Sequence, residues 1–183
     1  VILSWIKSKG CDCKGFRIKI DRNKFINFGP ITTLSNYSIV SENRCVKKPK
    51  KLSDKIAAFF GCSIATGFGV VYNSIKKPKT KSIGIYGLGT VGLFSLIAAK
   101  CLNFKKIFVI EKSKTKKILA KKMGAIIINH NNPIIDLMKN NQNKLLDYCF
   151  ESTGNIRTIK IAFDLIHNKG ECYISSHPSY NKK

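Results

Sequence analysis

Three glycines and one carboxylate carry the first chemical signal in this 183-residue chain. Gly87, Gly89 and Gly92 stand in Gly87-Leu88-Gly89-Thr90-Val91-Gly92, and Glu111 follows about 20 residues after the last of them. Glycines at this spacing suit a turn from a strand into a helix. Gly87 permits the tight bend, Gly89 keeps a Cβ out of the path of a pyrophosphate, and Gly92 lets the helix pack close to the strand. Phosphates would then lie at a helix N-terminus, where backbone N–H groups have no intrahelical acceptor. Glu111 is placed to accept hydrogen bonds from an adenosine ribose, which selects NAD over NADP. A tight turn followed by a solvated Glu would contain the same residues, so the flanking elements must decide.

Those elements stand in the required order. Residues 82–86 are an apolar run of strand length, Leu93 to Leu102 has helix character, and Ile107 to Ile110 is β-rich and ends on Glu111. The alternation then continues. A helix is expected from Lys114 to Met123, closed by Gly124, then a buried strand over 125–128, a loop at His130 to Pro133 and a short helix from Ile134 to Asn140. A strand over 145–150 follows, then a helix from Asn155 to His167 and, after Gly170, a last strand over 171–176. Strands alternating with helices in this way imply an α/β fold, a doubly wound parallel (Rossmann) sheet whose ligand sits at the carboxyl ends of the strands.

The first third reads differently. Val1 to Ile6 is an apolar run without a start signal, as in a chain entered midway, and residues 7–30 read as irregular and basic. Strands are expected at Leu34 to Val40 and Arg44 to Val46 around a turn at Ser41-Glu42-Asn43. Ser53 is a good N-cap for a helix over Lys55 to Phe60, which Gly61 breaks and Cys62 to Ser74 resumes.

A net charge of +23 invites a nucleic-acid reading, but the kind and spread of the cations argue against one. Four of the 33 basic residues are arginine, and the lysines run along the whole chain instead of forming one stripe interleaved with aromatics. Lys, Asn and Ile are all abundant and all have AT-rich codons, so a coding bias on solvated faces accounts for the charge. No apolar run reaches membrane-spanning length, and the N-terminus lacks a secretory pattern. Seven scattered cysteines suit reduced thiols in a cytoplasm better than a disulfide framework, and Cys101, Cys149 and Cys172 read as packing.

Four motifs together carry a family resemblance: Gly29-Pro30-Ile31-Thr32-Thr33-Leu34-Ser35-Asn36-Tyr37, Gly61-Cys62-Ser63-Ile64-Ala65-Thr66-Gly67-Phe68-Gly69, the glycine stretch from Gly87 to Leu93, and Phe150-Glu151-Ser152-Thr153-Gly154-Asn155. Over nearly its whole length the chain resembles the medium-chain, zinc-containing alcohol dehydrogenases. The resemblance implies a remnant of a mostly-β, GroES-like catalytic domain over 1–62 and an NAD-binding Rossmann domain over 63–183, incomplete at its C-terminal end. It makes Cys62 a ligand of a catalytic zinc and puts Thr66 and Val91 near the nicotinamide. Glu111 holds the adenosine ribose, Lys116 lies near the same ribose, Thr153 flanks the adenine, and His177 falls at the nicotinamide end of the last strand. Taken alone, Cys62 could be a small buried hydrophobe, Lys116 a solvated cation and Val91 a core residue.

The chemistry implied is hydride transfer between an alcohol or aldehyde and NAD, with zinc as Lewis acid, in a cytoplasmic homo-oligomer with no membrane and no nucleic-acid partner. The departures matter too. The catalytic zinc of the family takes two cysteines and a histidine, of which one Cys and the His would precede Val1, and Cys11 with Cys13 is too small a set for a second zinc. The chain as given therefore reads as a fragment, inactive by itself. A non-catalytic nucleotide-binding remnant is one alternative, and a Rossmann methyltransferase, which the Cys62 motif opposes, is another.

Overall fold

The computed structural model describes residues 2–3, 17–27, 36–37, 40, 42–76 and 78–178, which fall into two units, Val1–Cys62 and Ser63–Lys183. In the first unit β1 (Ile2–Leu3) is followed by the antiparallel hairpin of β2 (Arg17–Asp21) and β3 (Lys24–Asn27). This hairpin corrects the expectation of an irregular stretch over 7–30. Arg17-Ile18-Lys19-Ile20 alternates polar and apolar with the strand period, and Arg22-Asn23 makes the turn, a pattern that the dense lysines concealed. A 3-10 helix, Glu42–Arg44, replaces the expected turn and leads into β4 (Cys45–Val46), antiparallel to β1. The strand expected over Leu34 to Val40 lies largely outside the described residues, as do Cys11 and Cys13.

Helix α1 (Asp54–Phe60) begins where the sequence places its cap. Ser53 is extended, and its side chain accepts the Ile56 N–H at 3.4 Å. Asp54 in the first turn favours the positive end of the helix and pairs with Lys48 at 3.1 Å.

The second unit opens with α2 (Ser63–Ser74) and proceeds through β5 (Ser82–Tyr86), α3 (Thr90–Cys101), β6 (Lys106–Ile110), α4 (Lys114–Lys122) and β7 (Ile126–Ile128). It continues with α5 (Pro133–Asn140), β8 (Leu146–Glu151), α6 (Ile156–Asp164) and β9 (Ile166–Ile174). The five strands are all parallel, in the order β7-β6-β5-β8-β9. Every residue of β5 is buried, as a central strand covered on both faces requires. Alternate residues feed two cores. Ile83, Ile85, Val109 and Phe150 join Leu96 of α3 and Val71 of α2 on one face; Tyr86, Phe108 and Ile110 join Leu137 of α5 on the other.

The last strand starts earlier than expected. Ile166 already pairs with Leu146, and the register then slips before Glu171 meets Tyr148. The polar run His167 to Gly170, expected to close the helix and turn at Gly170, is thus an irregularity inside β9, and α6 stops at Asp164 instead of reaching His167. Gly170 is needed there, because a Cβ would lie 2.9 Å from that of Ile166.

Candidate nucleotide-binding site

The strand order reverses at β5, with β6 on one side of it and β8 on the other, and in doubly wound sheets the carboxyl ends of the strands at such a reversal are where a ligand crevice lies. The glycine loop fills the turn from β5 to α3, and its three glycines answer to different constraints. Gly87 has φ +84°, and a Cβ on it would lie 2.5 Å from the Thr153 methyl. A Cβ on Gly92 would meet the Gly87 carbonyl oxygen at 2.1 Å. The chain's own packing therefore demands both. Gly89 is exposed, has ordinary extended backbone angles (φ −69°, ψ −170°), and would place its Cβ in open space. Among the described residues nothing requires glycine at 89, whereas the close approach of an outside group would. As N-cap of α3, Gly89 also supplies no side-chain acceptor to the first-turn N–H groups.

Glu111, just past β6, is bound into this loop. Its Oε2 accepts the Leu88 N–H at 2.7 Å, and its Oε1 accepts the N–H groups of Lys112 (2.7 Å) and Ser113 (2.9 Å). Burial alone would raise its pKa, but the amides of Ser113, Leu88 and Lys112 and the charge of Lys116 outweigh it and hold the carboxyl below its ordinary value. Oε2 has one such partner, so it keeps acceptor capacity for a hydroxyl. Lys116 is exposed on α4.

Across the crevice, the end of β8 carries a carboxylate that sequence reasoning passed over. Glu151 is fully buried. Its Oε1 accepts the Thr153 N–H (2.8 Å) and hydroxyl (2.5 Å), with the Thr158 hydroxyl 3.1 Å away, and its Oε2 accepts the Ser176 hydroxyl at 2.6 Å. It thereby ties the β8 loop, α6 and the segment after β9 into one piece. A charged residue closing a buried apolar strand was the available signal. Ser152 completes the junction by donating to the carbonyls of Tyr86 (3.2 Å) and Gly87 (3.1 Å).

A sequence model for zinc-binding dehydrogenases matches residues 90–182. The chain belongs to that family. Among similar proteins are the S-(hydroxymethyl)glutathione dehydrogenase of Haemophilus influenzae, 30% identical over 74% of this chain and 37% of that protein, and the class-3 alcohol dehydrogenase of Caenorhabditis elegans, 31% identical over 82% and 41%. The crystal structure of benzyl alcohol dehydrogenase from Acinetobacter calcoaceticus has the same fold, with a TM-score of 0.81 at 24% identity over 100% of this chain and 56% of that one. The chain spans about two fifths of the length of the curated relatives it matches.

Within the second unit of this family member, the expected residues gather in part. Gly87, Gly89, Glu111 and Thr153 come together at the carboxyl end of β5 with Gly92 buried in the first turn of α3 beneath them, and Lys116 acts on Glu111 through its charge. A Cβ on Gly67 would collide with the Val91 carbonyl at 2.1 Å, so α2 crosses α3 there and brings the Thr66 segment against Val91. Thr66 and Val91 are half-buried. His177 is exposed past β9, with its carbonyl 3.0 Å from where a Gly154 Cβ would stand.

Cys62 is exposed in the turn after α1, in the first unit. Among the described residues no group of three or more His, Cys, Asp or Glu is placed to hold a metal ion. One cysteine does not supply the three protein ligands of a catalytic zinc, so the residues described do not fit that metal. Also among the described residues, no single helix is long and apolar enough to cross a membrane.

Proposed function

We propose that the second unit is the cofactor domain of an NAD-linked alcohol dehydrogenase, preceded over residues 1–62 by the end of a GroES-like catalytic domain. The whole protein would transfer hydride between a small alcohol or aldehyde and NAD. The observation that carries the reading is Gly89, whose lack of a side chain answers to no contact among the described residues, beside a carboxylate already pinned to the same loop.

In this reading the N–H groups at the start of α3 bind the pyrophosphate, Glu111 Oε2 accepts an adenosine ribose hydroxyl, and Thr153 borders the adenine. Lys116 lies near the same ribose and adds its positive charge beside Glu111, while Thr66, Val91 and His177 bound the nicotinamide side. Bound NAD supplies the hydride acceptor. Cys62 would be this chain's contribution to the catalytic zinc of the whole protein, and no step is assigned to a metal within the chain.

Titration with NADH, followed by nicotinamide fluorescence, tests the reading against its methyltransferase rival. Saturable binding of NADH with none of S-adenosylmethionine is expected. Binding of S-adenosylmethionine with none of NADH would overturn it.

A further inference from the structure

Cys149 and Cys172 read from the sequence as two unrelated packing residues, but the sheet makes them neighbours. They are register partners on the adjacent parallel strands β8 and β9. Adjacent strands run about 4.8 Å apart, within the Cα separations of roughly 4.4–6.8 Å that a disulfide accepts. Both cysteines are free thiols, and each perturbs the titration of the other. Cys149 is fully buried; Cys172 is half-buried on a strand at one side of the described sheet.

We propose that Cys149 and Cys172 form a modification site of the dithiol class, which a hydroperoxide oxidises to a disulfide joining β8 to β9. The pair takes no part in the cofactor reading above and stands independently of it.

The two thiols are unequal in the way such a site requires. Cys149 is fully buried, whereas Cys172 is partly open to solvent, so Cys172 is the thiol that a peroxide reaches and Cys149 the resolving thiol. The neighbouring Cys149 lowers the Cys172 thiol against the opposing effect of burial, and Cys172, burial and the charge of Glu151 raise that of Cys149. The Cys172 sulfur attacks one peroxide oxygen, the O–O bond breaks, and hydroxide leaves with the electron pair, giving a sulfenic acid at Cys172. Cys149 then loses its proton and attacks that sulfur; the S–S bond forms, the S–O bond breaks, and the oxygen departs as water. Two thiols are oxidised by two electrons, and one peroxide is reduced to two waters. Because Glu151 lies two residues beyond Cys149 and holds Thr153 and Ser176, the bridge would stiffen the strand ends that carry the crevice.

The test treats the full chain with equimolar hydrogen peroxide, blocks remaining thiols with a maleimide and maps peptides without reduction. A linked peptide joining Cys149 to Cys172, restored to two thiols by reductant, is the expected result. In Cys149→Ala, Cys172 should stop at a sulfenic acid that dimedone traps, and in Cys172→Ser the buried Cys149 should stay a thiol. Recovery of Cys172 in the parent chain as unmodified thiol or as sulfinic acid, with no linked peptide, would overturn the proposal. Oxidation of Cys149 at the parent rate in Cys172→Ser would do the same.

Discussion

The Leu88 amide and the Glu111 carboxylate lie 2.7 Å apart, a hydrogen bond that spans 23 residues of sequence and locks the glycine loop to the end of β6. The proposed ribose acceptor and the proposed phosphate cradle are thus one rigid piece. A carboxylate serving only a ligand would be free in its absence; this one also serves the fold. Glu111→Ala should therefore weaken NADH binding and also lower stability by about 1–3 kcal/mol, the cost of leaving backbone donors without their charged acceptor. Denaturant unfolding beside a binding titration separates the two effects.

Gly89 and Gly92 should part company. Gly89→Ser puts a side chain in open space and gives α3 a better N-cap, so its stability should match the parent's or exceed it by a few tenths of a kcal/mol. Its hydroxyl would obstruct the phosphate and occupy the N–H groups, and NADH affinity should fall at least about tenfold. Gly92→Ala drives a Cβ to 2.1 Å from the Gly87 carbonyl and should lose stability by about 1–3 kcal/mol. Matching stability losses in the two variants would contradict the assignment.

Glu151→Ala removes the acceptor shared by Thr153, Thr158 and Ser176. With donors on exposed and half-buried residues left without their carboxylate, a cost of about 1–3 kcal/mol is expected, read as a lower unfolding midpoint in denaturant. An unchanged midpoint would mean that the network does not hold the strand ends together.

Acid should act at the opposite end of the sheet. Asp147 accepts from Lys81 Nζ (2.8 Å), the Ser82 N–H (2.8 Å) and hydroxyl (2.9 Å), and it lies 3.3 Å from His167 Nε2. Burial alone would raise its pKa, but these donors bring it down to about 2. Its folded pKa is below its unfolded one, so its contribution is complete above the ordinary carboxylate range near pH 4 and is lost as pH falls towards about 2. Asp147→Asn should flatten this part of the stability–pH curve while lowering the plateau at neutral pH. A curve of unchanged shape would remove Asp147 from the account.

Most of the α/β order was legible because buried parallel strands are short apolar runs bounded by turn residues, and Ser82 to Tyr86 or Leu146 to Phe150 could hardly be read otherwise. The glycine loop was legible for the same reason that it is exacting: few residues tolerate φ +84° or a carbonyl 2.1 Å from the Cβ position. What sequence could not supply was register. Ile166 joins β9 through a slip that no local preference signals, and Cys149 and Cys172 become neighbours only when the two strands on either side of α6 align in this register. The role of Glu151 was hidden likewise, since its partners come from three separate segments. The β2–β3 hairpin was missed because charged residues occupy half its alternation.

The ratio of NADPH to NADH dissociation constants, measured by calorimetry on the parent chain and on Glu111→Gln, tests directly whether the adenosine ribose sits at Glu111. A 2′-phosphate beside an ionised Glu111 places like charges together, so NADPH should bind the parent at least about tenfold more weakly than NADH, a gap of about 1.4 kcal/mol. In Glu111→Gln that gap should shrink towards zero. NADPH binding to the parent as tightly as NADH, or more tightly, would contradict the placement of the adenosine ribose at Glu111 and the reading of the crevice as an NAD site.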